Sequence, residues 1–192
     1  MTEVLLFHHA QGLTPGLSTI ADELRAAGHT VHTPDLFEGR TFDTVAEGVG
    51  HAREIGFDTV IQRGVRVADD LPAELVYVGI SLGVLPAQHL AQNRPGALGA
   101  VLLEACLPPD EFGSAWPAGV PVQVHGMDAD PSFAVEGDLD AARELVASTD
   151  RAELFLYPGD KHLFTDPGLP SYDKAAAELV RERVLAFLAA AG

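Results

Sequence analysis

Short runs of β-branched residues and leucine alternate along this chain with longer Ala- and Leu-rich stretches of helical spacing, and this alternation limits the fold more than any other feature. "EVLLFH" has the length of a buried strand and runs into a glycine-containing loop. "LSTIADELRAAGH" carries Leu17, Ile20, Ala21, Leu24 and Ala27 on one helical face and stops at Gly28. "HTVHTPDLF" predicts a second strand closed by Pro34. "DTVAEGVGHAREIG" and "FDTVIQRGVRVADDL" predict two helices that meet near Gly56, the second broken at Gly64. "AELVYVG", "GALGAVLLEAC", "VPVQVHG" and "AELFLYPG" predict further strands, separated by helices over "SLGVLPAQHLAQN" and over "DLDAARELVAS", which starts near an aspartate cap. The helix entry contains Pro86, which is tolerable in a first turn but not much deeper. "YDKAAAELVRERVLAFLAAAG" predicts a long closing helix. A repeated β-α order implies a mainly parallel sheet with helices on both faces, a three-layer α/β/α arrangement in one domain over residues 1–192. The Pro- and Gly-rich "CLPPDEFGSAWPAGVP" reads as a loop over the strand ends.

Charge and cysteine content narrow the partners. A formal net charge of -16 opposes nucleic acid, whose phosphates call for clustered Lys and Arg. The single cysteine, Cys106, has no internal disulfide partner, and no Cys/His spacing resembles a zinc site. "MTEVLLFHHAQG" lacks a basic segment before its short apolar run, and no stretch reaches the roughly twenty apolar residues needed to span a bilayer. These features predict a cytoplasmic protein that engages neither membrane nor nucleic acid. They leave open whether it forms a homodimer.

In doubly wound sheets, ligands bind beyond the carboxyl ends of the strands, so the residues that follow each run matter most. They are His8 and His9, then Ser81, then Glu104 and Cys106, then Asp128 and Asp130, then His162. "GISLG", Gly79 to Gly83, has the G-x-S-x-G form of a nucleophile elbow, in which flanking glycines let a serine sit on a tight strand-to-helix turn. Glycine makes up 19 of 192 residues. Chance therefore flanks a serine this way about once in a hundred, and the strand before and helix after supply the context the motif requires. Ser81 is the expected nucleophile, and Leu82 N–H, at the helix start, is an expected oxyanion donor. The loop "HHAQGLTPG" would supply the second donor from Ala10 or Gln11. Of the eight histidines, only His162, in "PGDKHLF", takes third place in a Ser, Asp, His order on a strand-end loop, which makes it the expected base. Asp130, followed by Pro131, is the expected acid and Asp128 the alternative. His8 and His9 have no third ligand at recognisable spacing, so no metal and no cofactor is expected. The loop also lacks G-x-G-x-x-G and G-K-[ST], which argues against a nucleotide-binding domain. Phe37, Phe42, Trp116, Phe133 and Phe164 serve equally well as pocket walls or as core.

Taken together, "HHAQG", "PDLFEG", "GISLG", "HGMDADP" and "GDKHLF" resemble the dienelactone hydrolase family of the α/β-hydrolase superfamily, over nearly the whole chain. The resemblance implies a compact α/β-hydrolase fold without a large cap domain. It also implies a nucleophile, acid and base at Ser81, Asp130 and His162. The family's prototypes carry cysteine where this chain has Ser81, and a glutamate in the first-strand loop where it has a histidine, nearest His9. The expected activity is serine-dependent hydrolysis of small carboxylic esters or lactones. Thioester or amide hydrolysis would use the same residues, and a non-catalytic binding protein on the same fold is the alternative of another class.

Overall fold

The computed structural model describes residues 1–113 and 115–192; Ser114, in the Pro- and Gly-rich loop, lies outside the described residues. Six strands form one sheet: β1 (Glu3–Phe7), β2 (Thr30–His32), β3 (Val76–Ile80), β4 (Gly99–Leu103), β5 (Val122–Met127) and β6 (Ala152–Tyr157). Their order across the sheet is β2-β1-β3-β4-β5-β6, and every neighbouring pair is parallel. Among the described residues, six α-helices accompany the sheet: α1 (Pro15–Ala26), α2 (Val45–Ile55), α3 (Phe57–Asp69), α4 (Val84–Asn93), α5 (Asp138–Ser148) and α6 (Lys174–Ala191).

Strand alternation sorts the core into two halves. Val4 and Leu6 of β1, Val76 and Val78 of β3, and Val101 and Leu103 of β4 face α1 and α6, where Leu17, Leu24, Val184 and Leu188 cover them. Leu5, Phe7, Tyr77 and Leu102 face the other way and pack under α2, α3, α4 and α5. β3 and β4 are buried along their whole length, which is why they read as continuous apolar runs. Each fully buried Val or Leu contributes about 1.5–3 kcal/mol. Among the described residues, no cap domain covers the carboxyl edge of the sheet.

Local chemistry sets the helix starts. Thr14 accepts the Leu17 N–H ahead of α1, and Thr44 and Glu47 cap α2 reciprocally. Asp173 accepts the Ala176 N–H at the start of α6. Two expectations need correction. Gly64 does not break α3; a Cβ there would lie 2.6 Å from Pro86 Cβ and 3.0 Å from Phe7 Cε1, so the missing side chain lets α3 close onto α4 and β1. The cap of α5 is Gly137, with φ 113°, and not an aspartate. Asp138 instead accepts the backbone N–H of Cys106 at 3.2 Å.

β2 lies on one side of β1 and β3 on the other, so the chain reverses its direction across the sheet between β1 and β3. The loops leaving these two strands flank the crevice where ligands of open α/β sheets bind.

Candidate active site

Ser81 begins a single 3-10 turn, Ser81–Gly83, between β3 and α4, and its φ of 50° is left-handed. The two motif glycines make this turn fit. A Cβ on Gly79 would collide with the backbone of Gly83, and one on Gly83 with the carbonyls of Phe7 and His8. The elbow is thus pressed against the end of β1, and a side chain at either glycine would push it away.

His162 lies in the loop after β6. Its Nε2 is 2.9 Å from Ser81 Oγ, and its Nδ1 is 2.7 Å from Asp130 Oδ2. A carboxylate accepts only, so Nδ1 carries the proton it donates to Asp130, and Nε2 is left to accept from the Ser81 hydroxyl. Asp130 is fully buried, and its other oxygen accepts the Ser132 N–H at 2.9 Å. Asp128 is exposed and turned elsewhere, accepting the Gly159 N–H at 3.1 Å. Of the two aspartates, the structure brings Asp130 to the histidine.

Burial opposes protonation of His162, but the Asp130 hydrogen bond and the charges of Glu104, Asp130 and Asp138 outweigh it and leave its pKa raised. Asp138, at the start of α5, carries no motif signal. Burial lifts its carboxyl to about 6. Cys106 is buried, and burial together with the Asp138 charge pushes its thiol up to about 12, the state of an inert thiol.

Leu82 lies in the first turn after β3, where backbone N–H groups have no intrahelical acceptor. Across the crevice, the Gln11 N–H donates to His9 Nδ1 at 3.2 Å, while no acceptor engages the Ala10 N–H among the described residues. Gln11 is therefore the weaker of the two expected donors. The Ala10 loop is held by α2, whose Gly48 leaves room for the Ala10 carbonyl.

His8 and His9 are structural in their contacts. His8 donates through Nδ1 to its neighbour's carbonyl and accepts the Leu36 N–H on Nε2 at 2.9 Å; burial holds its pKa down at about 4. His9 Nε2 donates to Asp166 Oδ2 at 2.8 Å, and Asp166 also accepts from Thr14 Oγ1 and Gly168 N. Burial works to raise the Asp166 pKa, but these bonds outweigh it and leave the carboxyl below its ordinary value. Among the described residues, no three His, Cys, Asp or Glu side chains converge as metal ligands. No helix among them is long and apolar enough to cross a membrane. Phe37, Phe133 and Phe164 prove to be fully buried core, and Trp116 anchors its loop by donating to the Val120 carbonyl at 2.8 Å. A groove of about 530 Å³ between α3 and α4, among Phe57, Ile61, Leu85, His89, Leu107 and Phe112, has none of Ser81, Asp130 and His162 in its lining.

A model of the dienelactone hydrolase family matches residues 1–192. No curated protein matches the sequence significantly. Among solved structures, a Klebsiella pneumoniae subsp. pneumoniae MGH 78578 protein assigned as a dienelactone hydrolase superposes with a TM-score of 0.76 at 19% identity, covering 98% of this chain and 87% of that one. A dienelactone hydrolase-like promiscuous phosphotriesterase from metagenomic libraries gives 0.74 at 18% identity, covering 99% and 86%. Esterase 2 of Thermogutta terrifontis, phosphoramylated by tabun, gives 0.63 at 19% identity, covering 100% and 83%. At such identities the likeness is one of fold.

Proposed function

The chain belongs to the dienelactone hydrolase family, and from that premise we propose that it is a serine hydrolase of small carboxylic esters or lactones. The observation that carries this reading is the continuous hydrogen-bond chain Ser81 Oγ, His162, Asp130, with links of 2.9 and 2.7 Å. Ser81 attacks the carbonyl carbon while His162 Nε2 takes its proton, and Asp130 stabilises the imidazolium that forms. The oxyanion of the tetrahedral intermediate accepts from Leu82 N–H and Ala10 N–H. The imidazolium then protonates the leaving alkoxide, which leaves an acyl-Ser81. A water activated by the same histidine attacks this ester, and Ser81 is regenerated with release of the acid. Residues of the chain supply every proton transfer, so the reading calls for no cofactor. We place the protein in the cytoplasm on the strength of its lone, buried Cys106.

Serine at position 81 and histidine at position 9 separate this chain from the family's prototypes, and the proposal is therefore ester or lactone hydrolysis in general. A structural neighbour that carries a tabun-derived phosphoryl group recommends an organophosphorus probe. The test is hydrolysis of a short-chain p-nitrophenyl ester by the wild type and by Ser81→Ala, with fluorophosphonate labelling read by intact mass. Loss of both turnover and label in the variant supports the reading. A folded wild type that neither turns over nor labels favours a binding protein on the same fold.

A further inference from the structure

Glu104 follows β4, next to the strand that presents the nucleophile. The register pairs Ile80 with Leu103, so the next step along both strands sets Glu104 beside Ser81. The side chain is fully enclosed, at 1% exposure, and the residue has a left-handed φ of 64° although it is not glycine. Oε1 accepts two hydrogen bonds from Thr165, from its N–H at 3.1 Å and its hydroxyl at 3.0 Å. Thr165 is three residues beyond His162 in the same loop. Oε2 has no partner, and among the described residues it is the buried side-chain oxygen or nitrogen left in that state. A buried carboxyl oxygen without a partner is costly, and the anchoring of Thr165 by Oε1 does not account for it.

We propose that Glu104 is a positioning residue for His162: Oε1 ties the imidazole's loop to the end of β4, and the carboxylate, enclosed beside the nucleophile's turn, favours the cation that the imidazole becomes. The inference rests on the Ser81, His162, Asp130 reading above. Burial pushes the Glu104 carboxyl up, while the His162 charge, the Thr165 bonds and the His9 charge pull it down. The groups facing His162 are Ser81 from the elbow, Asp130 from the loop after β5, Asp138 from α5 and Glu104 from β4. Those facing Glu104 are His162 and Thr165 from one loop and His9 from the loop after β1, whose Nε2 is already engaged by Asp166. When the imidazole gains the Ser81 proton, ionisation of Glu104 becomes less costly, so the two groups titrate as a pair.

Glu104→Gln keeps the acceptor for Thr165 and removes the charge. The experiment follows the His162 ring by NMR against pH, alongside kcat and kcat/KM for the p-nitrophenyl ester and the melting temperature. For Glu104→Gln the expected result is an unchanged or higher melting temperature, a His162 titration moved to lower pH, an acid limb that moves with it, and a plateau kcat about tenfold lower. Thr165→Val removes one bond that favours the ionised carboxyl, so it moves the His162 titration in the same direction by less, and it stands in should Glu104→Gln not fold. Wild-type titration and kcat in both variants would overturn the proposal and reduce Glu104 to a loop anchor. The NMR titration needs no turnover. A wild type without Ser81-dependent hydrolysis would thus sink the hydrolase reading, while the His162 shift would still report on Glu104.

Discussion

His162 Nδ1 lies 2.7 Å from Oδ2 of the fully buried Asp130, while Asp128, two residues earlier, is exposed and holds the backbone of Gly159. The two aspartates therefore predict opposite mutational outcomes. Asp130→Asn keeps the volume but offers the imidazole an amide that no longer enforces the Nδ1–H tautomer. The expected loss in kcat is about a thousandfold or more. Asp128→Asn leaves kcat within about twofold, as expected for an exposed position away from the chemistry. Steady-state kinetics on the two variants, with circular dichroism as a fold control, decides the assignment. Equal losses in both would refute it.

The pH dependence follows from the state of His162. The base must be neutral to accept the Ser81 proton, and its pKa in the folded protein is raised above the ordinary 6.5, burial being outweighed by Asp130, Glu104 and Asp138. Activity is therefore lost as pH falls through that raised value. The acid limb of kcat/KM is expected on the high side of the ordinary histidine value. A profile that stays flat down to about pH 4 would mean that no histidine acts as the base.

The pieces legible in the sequence were those set by near neighbours. The elbow was visible because its two glycines act within four residues, and the strands were visible because alternation and apolar length are local properties. The choice between Asp128 and Asp130 was only favoured, because residues two apart share a face in extended chain and Asp-Pro was the one cue. What separates them is the turn that begins at Pro131. The roles of Glu104 and Asp166 were not legible at all. Glu104 is bound to Thr165, 61 residues away, and Asp166 to His9, 157 residues away, and no local pattern marks either pair. Gly64 departs from its local signal for a related reason. Its local signal is that of a helix breaker, and its packing partners, Phe7 and Pro86, are distant in sequence.

The contact of Gly64 with Pro86 and Phe7 can be tested directly. In an open helix, Gly64→Ala would stabilise by roughly 1 kcal/mol through propensity. Here the new methyl would meet Pro86 Cβ at 2.6 Å and the Phe7 ring at 3.0 Å. Overpacking of this kind costs about 1–3 kcal/mol. The net expectation is a lower urea midpoint than that of the wild type. A higher midpoint would show that α3 has slack against α4.

Two buried histidines make the fold sensitive to acid. Burial lowers His8 to about 4 and His125 to about 3, the latter aided by the Arg183 charge. The unfolded chain therefore binds protons that the folded one excludes. The stability these groups contribute is present above the unfolded value of 6.5 and is lost as pH falls below it toward about 4. His125 sits in a chain in which Arg183 donates to the Tyr157 hydroxyl, that hydroxyl to His125 Nδ1, and Nε2 to Gln123. Melting temperatures measured between pH 7 and pH 4 should fall, and by less in His125→Gln, which has no proton to gain. An identical slope in the variant would remove His125 from the account.

The last prediction turns on nucleophile identity, because the protein has one natural thiol and it is in the wrong place to react. Cys106 is enclosed, and its thiol is raised to about 12 by burial and by Asp138, so iodoacetamide should leave the folded wild type unmodified. Ser81→Cys would put a thiol within reach of His162 Nε2, which lies 2.9 Å from Ser81 Oγ, and at the start of the turn leading into α4. Both surroundings favour a thiolate. The variant should take up one equivalent of iodoacetamide at position 81 near neutral pH, with Cys106 still unlabelled in the same molecule as an internal control. His162→Ala in the same background should slow that labelling by about tenfold or more if the imidazole is what withdraws the proton. Labelling at position 81 that ignores both pH and His162 would mean that the histidine is only a neighbour of residue 81, and the hydrogen-bond chain would lose its place in the mechanism.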